Sequence, residues 1–267
     1  MVESFKTALR ESNMAENTIS AYVYAVNDYF SKHKTLNKRN LLLYKANIIE
    51  QFRPKTVNLR IQALNKFLEH VGKPKLRLKS VKVQQRSYLE NVISQADYIF
   101  FKKKLKQEES LMWYFVVRFL TATGARVSEL IQIKVEHVRI GYFDIYSKGG
   151  KVRRLFIPRH LRDEAEKWFE ETQQTTGYIF RNRFGERITT RGIAQQLKNY
   201  AERYGLNTNV VYPHSFRHRY AKNFLEAFND IALLADLMGH ESIETTRIYL
   251  RRTACEQQAI VDKVITW

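Results

Sequence analysis

The sequence has little of what cross-links or punctuates a chain. Cysteine occurs once, at Cys255, so no disulfide can form within the chain and a reducing compartment is expected. Only four prolines and ten glycines occur in 267 residues, which disfavours a sandwich of short strands joined by tight turns and favours helices. No apolar run approaches the ~20 residues that span a bilayer. The most apolar stretch, residues 111–120 (LMWYFVVRFL), is short and interrupted by Arg118, so it reads as a core helix. The opening residues, MVESFKTALRESN, lack the apolar segment of a secretory signal. Internal repeats and low-complexity tracts are missing too. These absences point to a cytoplasmic protein without a membrane partner.

What is present is apolar residues and positive charge. Hydrophobic residues make up 44% of the chain, enough to build a core. The net charge is +18, a surplus that attracts polyanions and suits nucleic acid. It is denser at the start: residues 1–85 carry 16 Lys and Arg against 6 Asp and Glu.

Residues 2–71 read as helices. Asn17-Thr18 is a candidate cap for a segment whose apolar residues, Ile19 to Phe30, recur at helical spacing. A second helix is expected over 37–52. A third has Pro54 in its first turn and Gly72 and Pro74 beyond its end. The basic stretch KPKLRLKSVKVQQRS, residues 73–87, has no helical stripe and reads as a linker. Beyond it Ser94 can start a helix, with further helices expected over 108–122, 160–172, 189–205, 214–228, 230–237, 242–249 and 254–265. Two β-rich runs, YFDIY and VRRLFI, flank Lys148-Gly149-Gly150-Lys151, a hairpin signature. The expected organisation is a helical domain over 1–75, a linker over 76–87, and a mixed domain over 88–267 ending in a tail helix over 254–265.

Four local patterns carry chemistry. In Thr123-Gly124-Ala125-Arg126-Val127-Ser128-Glu129-Leu130 a glycine turn places Arg126 at a helix start, where a guanidinium can hold two phosphate oxygens. Lys148 and Lys151 sit on the hairpin turn, where a lysine can protonate a leaving oxygen. In His214-Ser215-Phe216-Arg217-His218, after Pro213, an imidazole and a guanidinium three residues apart share a helix face. Last comes Leu237-Met238-Gly239-His240 with Tyr249 nine residues after the histidine; tyrosine can act as a nucleophile at phosphorus. Each pattern alone has an ordinary reading: a helix-surface ion pair, a solvated turn, a local cap, one tyrosine among 15.

In combination and in this order, Arg126, Lys148, His214, Arg217, His240 and Tyr249 resemble the motif set of the tyrosine recombinase/integrase family, in the layout of Xer-type and simple phage or transposon integrases. The resemblance is strong over residues 89–253. Residues 1–85 resemble the family's core-binding domain in size, charge and placement, and nothing matches the extra N-terminal domain for arm-type sites. The resemblance implies a mainly α fold with a small β-hairpin, arranged as a two-domain clamp on double-stranded DNA. It implies cleavage by Tyr249 through a 3′-phosphotyrosyl link, with Arg126 and Arg217 neutralising phosphate charge and His240 hydrogen-bonding the same oxygens. His214 would position or deprotonate the tyrosine. Lys148 would be the general acid, with Lys151 as the substitute. No cofactor, metal or small-molecule substrate is expected. The expected partner is DNA with paired half-sites bound by a homotetramer, associated with the nucleoid or a mobile genetic element. The tail helix would dock on a neighbouring protomer or on its own domain. The competing readings are a type IB topoisomerase and a non-catalytic DNA-binding accessory protein.

Overall fold

The computed structural model describes residues 1–83, 91–146, 152–250 and 254–265. The chain forms two compact units, Met1–Gln85 and Arg86–Trp267.

The first unit is built from α1 (Val2–Glu11), α2 (Glu16–Lys32), α3 (Lys38–Gln51) and α4 (Pro54–His70). Their apolar stripes meet in one core, in which Phe5 and Phe67 pack edge to face. The Asn17-Thr18 cap is corrected: α2 begins at Glu16, and Ala15 stands at the cap with its carbonyl receiving Thr18 and Ile19. Glu16 instead contributes an acid at the helix start and pairs with Arg10. Asn37 does cap α3, accepting from the Asn40 amide at 2.8 Å. Pro54 opens α4, and Gly72 closes it in the left-handed region at φ 69°.

The first part of the basic stretch lies back along α4. Asn65 exchanges two hydrogen bonds with the backbone of Leu78 (2.9 and 2.8 Å), and Asn58 exchanges two with Val81 (3.0 and 2.8 Å). The spacing explains the match. Seven residues of helix advance roughly 10 Å, and so do three residues of extended chain. This segment is therefore fixed to the first unit as far as Val81.

The second unit contains α5 (Gln95–Gln107), α6 (Leu111–Thr123), the short α7 (Val127–Leu130) and α8 (Val135–Ile140), then β1 (Tyr142–Tyr146) and β2 (Val152–Phe156). There follow α9 (Arg159–Glu171), α10 (Thr190–Arg203), α11 (Pro213–Ala227), α12 (Ile231–Met238) and α13 (Ile243–Arg247). A 3-10 turn (Ile248–Leu250) and α14 (Ala254–Val264) end it. The helix start expected at Arg126 is that of α7, whereas sequence reading did not anticipate α8, which has too few residues to show a period.

Apolar α6 is the buried centre, packed on α11. Arg118 escapes at its edge to Glu164, 3.1 Å away. Ser94 caps α5 as expected. The strands pair antiparallel from Tyr142–Phe156 to Tyr146–Val152, so the hairpin expected from sequence is present. The fold is thus mainly helical with a two-stranded sheet. Lys148 and Lys151 lie outside the described residues.

Candidate active site

The site gathers around the end of α12. Gly239, at φ 61°, closes that helix in the left-handed conformation, leaving its last carbonyls without helical partners. Three successive carbonyls there each receive a different arginine. Arg153 Nη1 donates to Leu237 (3.2 Å), Arg217 Nη2 to Met238 (2.7 Å) and Arg126 Nη2 to Gly239 (3.1 Å). The negative end of a helix dipole thus holds three cations in one place. No side chain fits at Gly239, because a Cβ there would lie 2.5 Å from Arg153 Cδ.

Each arginine comes from a different element. Arg126 is the cap residue of α7, and its backbone amide donates to Glu129 at 2.7 Å. The buried Glu129 carboxylate also receives Arg126 Nη1 (2.8 Å) and Arg153 Nη2 (2.6 Å). The Arg126–Glu129 ion pair therefore exists, but it belongs to a bridge from α7 to β2. Arg217, on α11, is only 1% exposed and also donates to the carbonyl of Gly124, the residue that ends α6. Among the described residues its Nε has no acceptor. Burial, reinforced by the charge of Arg126, lowers the pKa of Arg217 to about 10. Among the described residues these three arginines have Glu129 as their carboxylate partner, paired with Arg126 and Arg153, so the cluster carries a positive surplus suited to a phosphate, with Asp236 and Glu241 on the wall of the adjoining cleft.

His240 follows Gly239. Its Nε2 lies 3.2 Å from Arg217 Nη2, and its Nδ1 lies 2.8 Å from Oγ1 of buried Thr246. Arginine only donates, so Nε2 accepts and the ring proton sits on Nδ1, which donates to Thr246. Burial and the neighbouring arginines hold this imidazole neutral, with a pKa of about 4.

Tyr249, in the 3-10 turn, is 5% exposed and packs with Ala221, Leu225, Leu234 and Met238. Its ring lies parallel to that of His240, 6.2 Å away. Its hydroxyl is 3.0 Å from Nδ1 of His218. Burial raises the pKa of the hydroxyl, and the charge of Arg217 acts in the opposite sense. His214, in the first turn of α11, is exposed; its ring meets that of His218 edge to face at 4.7 Å. Beside these groups an open cleft of about 980 Å³ is lined by Arg126, Arg153, Arg154 and His240 among others.

Comparison with known proteins now decides the family. The chain belongs to the phage integrase family. The family's sequence pattern matches residues 89–256, which hold every residue of the cluster. The tyrosine recombinase XerA of Pyrococcus furiosus is 28% identical to this chain, over 98% of it and 93% of its own length. A crystal structure of XerH site-specific recombinase bound to palindromic difH substrate shares the fold, with a TM-score of 0.72 at 18% identity, over 100% of this chain and 85% of that one. So does a lambda integrase dimer bound to a COC′ core site, with a TM-score of 0.74 at 14% identity, over 100% of this chain and 77% of that one.

Of the six residues singled out in the sequence, Arg126, Arg217, His240 and Tyr249 come together, His214 stands one residue-layer away across His218, and Lys148 is not described. Sequence reading passed over Arg153 and His218. A signal existed for each. Arg153 shares a face of β2 with buried Leu155 two residues on, which puts a cation on the inner face of the hairpin. His218 lies one turn after His214 on the same helix.

Proposed function

We propose that the chain carries out site-specific DNA recombination through Tyr249. The hydroxyl oxygen attacks a DNA phosphodiester, forms a 3′-phosphotyrosyl link and releases a 5′-hydroxyl. The 5′-hydroxyl of a partner duplex then attacks that link and restores a phosphodiester. One ester replaces another, so no nucleotide is consumed. Arg126 and Arg217 stabilise the charge that grows on the phosphoryl oxygens, and stabilisation of this kind contributes more than any other effect to many group-transfer reactions. His240 donates to the same oxygens once phosphate displaces its contact with Arg217 and its ring proton moves from Nδ1 to Nε2, leaving Nδ1 to accept from the Thr246 hydroxyl. Lys148 protonates the leaving 5′-oxygen, with Lys151 as its substitute, and His214 assists the tyrosine.

The observation that carries this reading is the meeting of a buried tyrosine with cations held on the end of α12. It favours recombinase chemistry over a non-catalytic accessory role, because a DNA anchor needs no tyrosine among buried arginines. The test is a nicked suicide substrate resolved on a denaturing gel. Tyr249→Phe should bind a half-site as the parent does and form no covalent adduct; an adduct that persists sinks the assignment.

The proposal extends to assembly. Residues 1–75 bind DNA and the two units clamp a duplex, by phosphate contacts that weaken with salt. Four protomers hold two duplexes at paired half-sites, in the cytoplasm. At the end of α14, Val261, Val264 and the following Ile265 are 47%, 58% and 49% exposed, an apolar face that a neighbouring protomer would cover. A chain ending at Thr253 should then bind one half-site normally and lose cooperativity on a full site. Undiminished cooperativity in a gel shift would rule out docking in trans.

A further inference from the structure

Tyr249 is buried, so water is poorly placed to take the proton that its hydroxyl must lose on attacking phosphorus. The acceptor has to be a protein group. The acceptors nearby are mostly engaged: Glu129 receives Arg126 and Arg153, and His240 accepts from Arg217 while its other nitrogen donates to Thr246. His214 is exposed at the start of α11, and its ring packs on that of His218. The nitrogen that faces the hydroxyl is Nδ1 of His218, at 3.0 Å, within range for proton transfer. The charge of Arg217 lowers the pKa of the same hydroxyl, which favours loss of its proton toward His218.

We propose that His218 is the general base of strand cleavage, accepting the Tyr249 proton at Nδ1. This rests on Tyr249 being the nucleophile. In the step, the bond from Tyr249 Oη to phosphorus forms and the bond from phosphorus to the 5′-oxygen breaks. The tyrosine proton passes to His218, which becomes imidazolium, and the leaving oxygen takes a proton from the general acid. In rejoining, the imidazolium returns its proton to the tyrosine oxygen.

The surroundings of His218 fit the task. Burial, His214, Arg217 and His240 together hold it neutral, with a pKa of about 4, so its acceptor nitrogen is available at ordinary pH. A bound phosphate offsets the charge of Arg217, so the imidazole becomes more basic as the substrate arrives.

The test combines His218→Asn with 3,5-difluorotyrosine placed at position 249. Asparagine keeps an acceptor for the hydroxyl but cannot take its proton, and fluorination makes the hydroxyl acidic enough to need less help. On the suicide substrate, His218→Asn should slow adduct formation about 10²-fold with half-site binding unchanged. The fluorinated nucleophile should recover about tenfold of that loss, read as the ratio of variant to parent rates when both carry the same residue at position 249. His218→Gln should repeat the result, and a thermal melt establishes that either variant is folded. A folded His218→Asn that cleaves within about threefold of the parent overturns the assignment, and so does a loss that fluorination leaves untouched, since a packing role would not respond to hydroxyl acidity. Mass spectrometry of the parent adduct separates this failure from the larger one: an adduct on another residue overturns both readings, whereas one on Tyr249 with an indifferent His218 overturns only this one.

Discussion

Arg60 in the first unit and Arg217 in the second are both buried, at 7% and 1% exposure, and they are satisfied in opposite ways. Arg60 meets a carboxylate. Its Nη1 lies 2.5 Å from Asp28 Oδ2 and 3.2 Å from the Tyr44 hydroxyl, which itself donates to Asp28 at 2.7 Å. Its guanidinium lies over the Phe52 ring at 4.2 Å. Charge and polar groups close on themselves. Arg217 instead donates to the carbonyls of Gly124 and Met238 and faces a neutral imidazole, with another arginine close by. Helix-end carbonyls supply only partial charge, so the cation keeps most of its own. A buried charge left short of a counter-ion is costly, and it becomes worthwhile only when an anion arrives. The same residue type thus serves to join helices in one unit and to receive a phosphate in the other.

The largest expected effect tests the second half of that contrast. Arg217→Ala should lower the rate of covalent cleavage by on the order of 10³-fold or more, as for other arginines and donors aimed at a phosphoryl or acyl transition state. Half-site affinity should change far less. Equal losses in a cleavage assay and a gel shift would recast Arg217 as a DNA anchor.

The next effect tests the first half. Arg60→Met leaves the Asp28 carboxylate without its main partner, and should lower stability by about 3 kcal/mol in urea unfolding. Cleavage per folded molecule should not change. Adding Asp28→Leu should restore most of the loss, because the pair is then replaced by apolar groups of similar size. If the double variant is as unstable as the single one, the network acts through packing and the contrast with Arg217 fails.

How far each half was legible from sequence follows from the range of the interactions. The helices of the first unit show in local signs, Pro54 in a first turn and Gly72 beyond an end, although the cap read at Asn17-Thr18 falls inside α2. The catalytic candidates were legible because a combination of motifs spaced along the chain is more specific than any one of them. The Arg60–Asp28–Tyr44 network was not, since its members are separated by 16 and 32 positions and look like ordinary surface residues. Nor was the carbonyl ladder at Leu237, Met238 and Gly239, because backbone oxygens have no sequence signature. The partner of the Tyr249 hydroxyl depends on how the 3-10 turn lies across α11, which the spacing from His240 to Tyr249 does not specify.

The smallest effect separates the two units by pH. His218 and His240 have folded pKa values of about 4, against an ordinary value of 6.5. Burial pushes His137 the same way. Below pH 6.5 the unfolded chain takes up protons that the folded one refuses, so stability falls with pH between about 6.5 and 4. The Arg60 network behaves differently. Burial alone would raise the pKa of Asp28, but Tyr44 and Arg60 outweigh it and hold it below the ordinary 3.8. Its contribution is intact above that value and is lost only as pH falls through the lower, folded one. Hydrogen exchange at pH 7, 5.5 and 4.5, corrected for intrinsic rates, should therefore show protection falling in α11 and α12 of the second unit while α2, α3 and α4 of the first hold. Replacing both His218 and His240 with glutamine should flatten the response of the second unit across that window. If protection in α11 is the same at all three pH values, the imidazoles titrate freely in the folded protein. The positive surplus inferred around Arg217 would then be too weak to hold a phosphate in place.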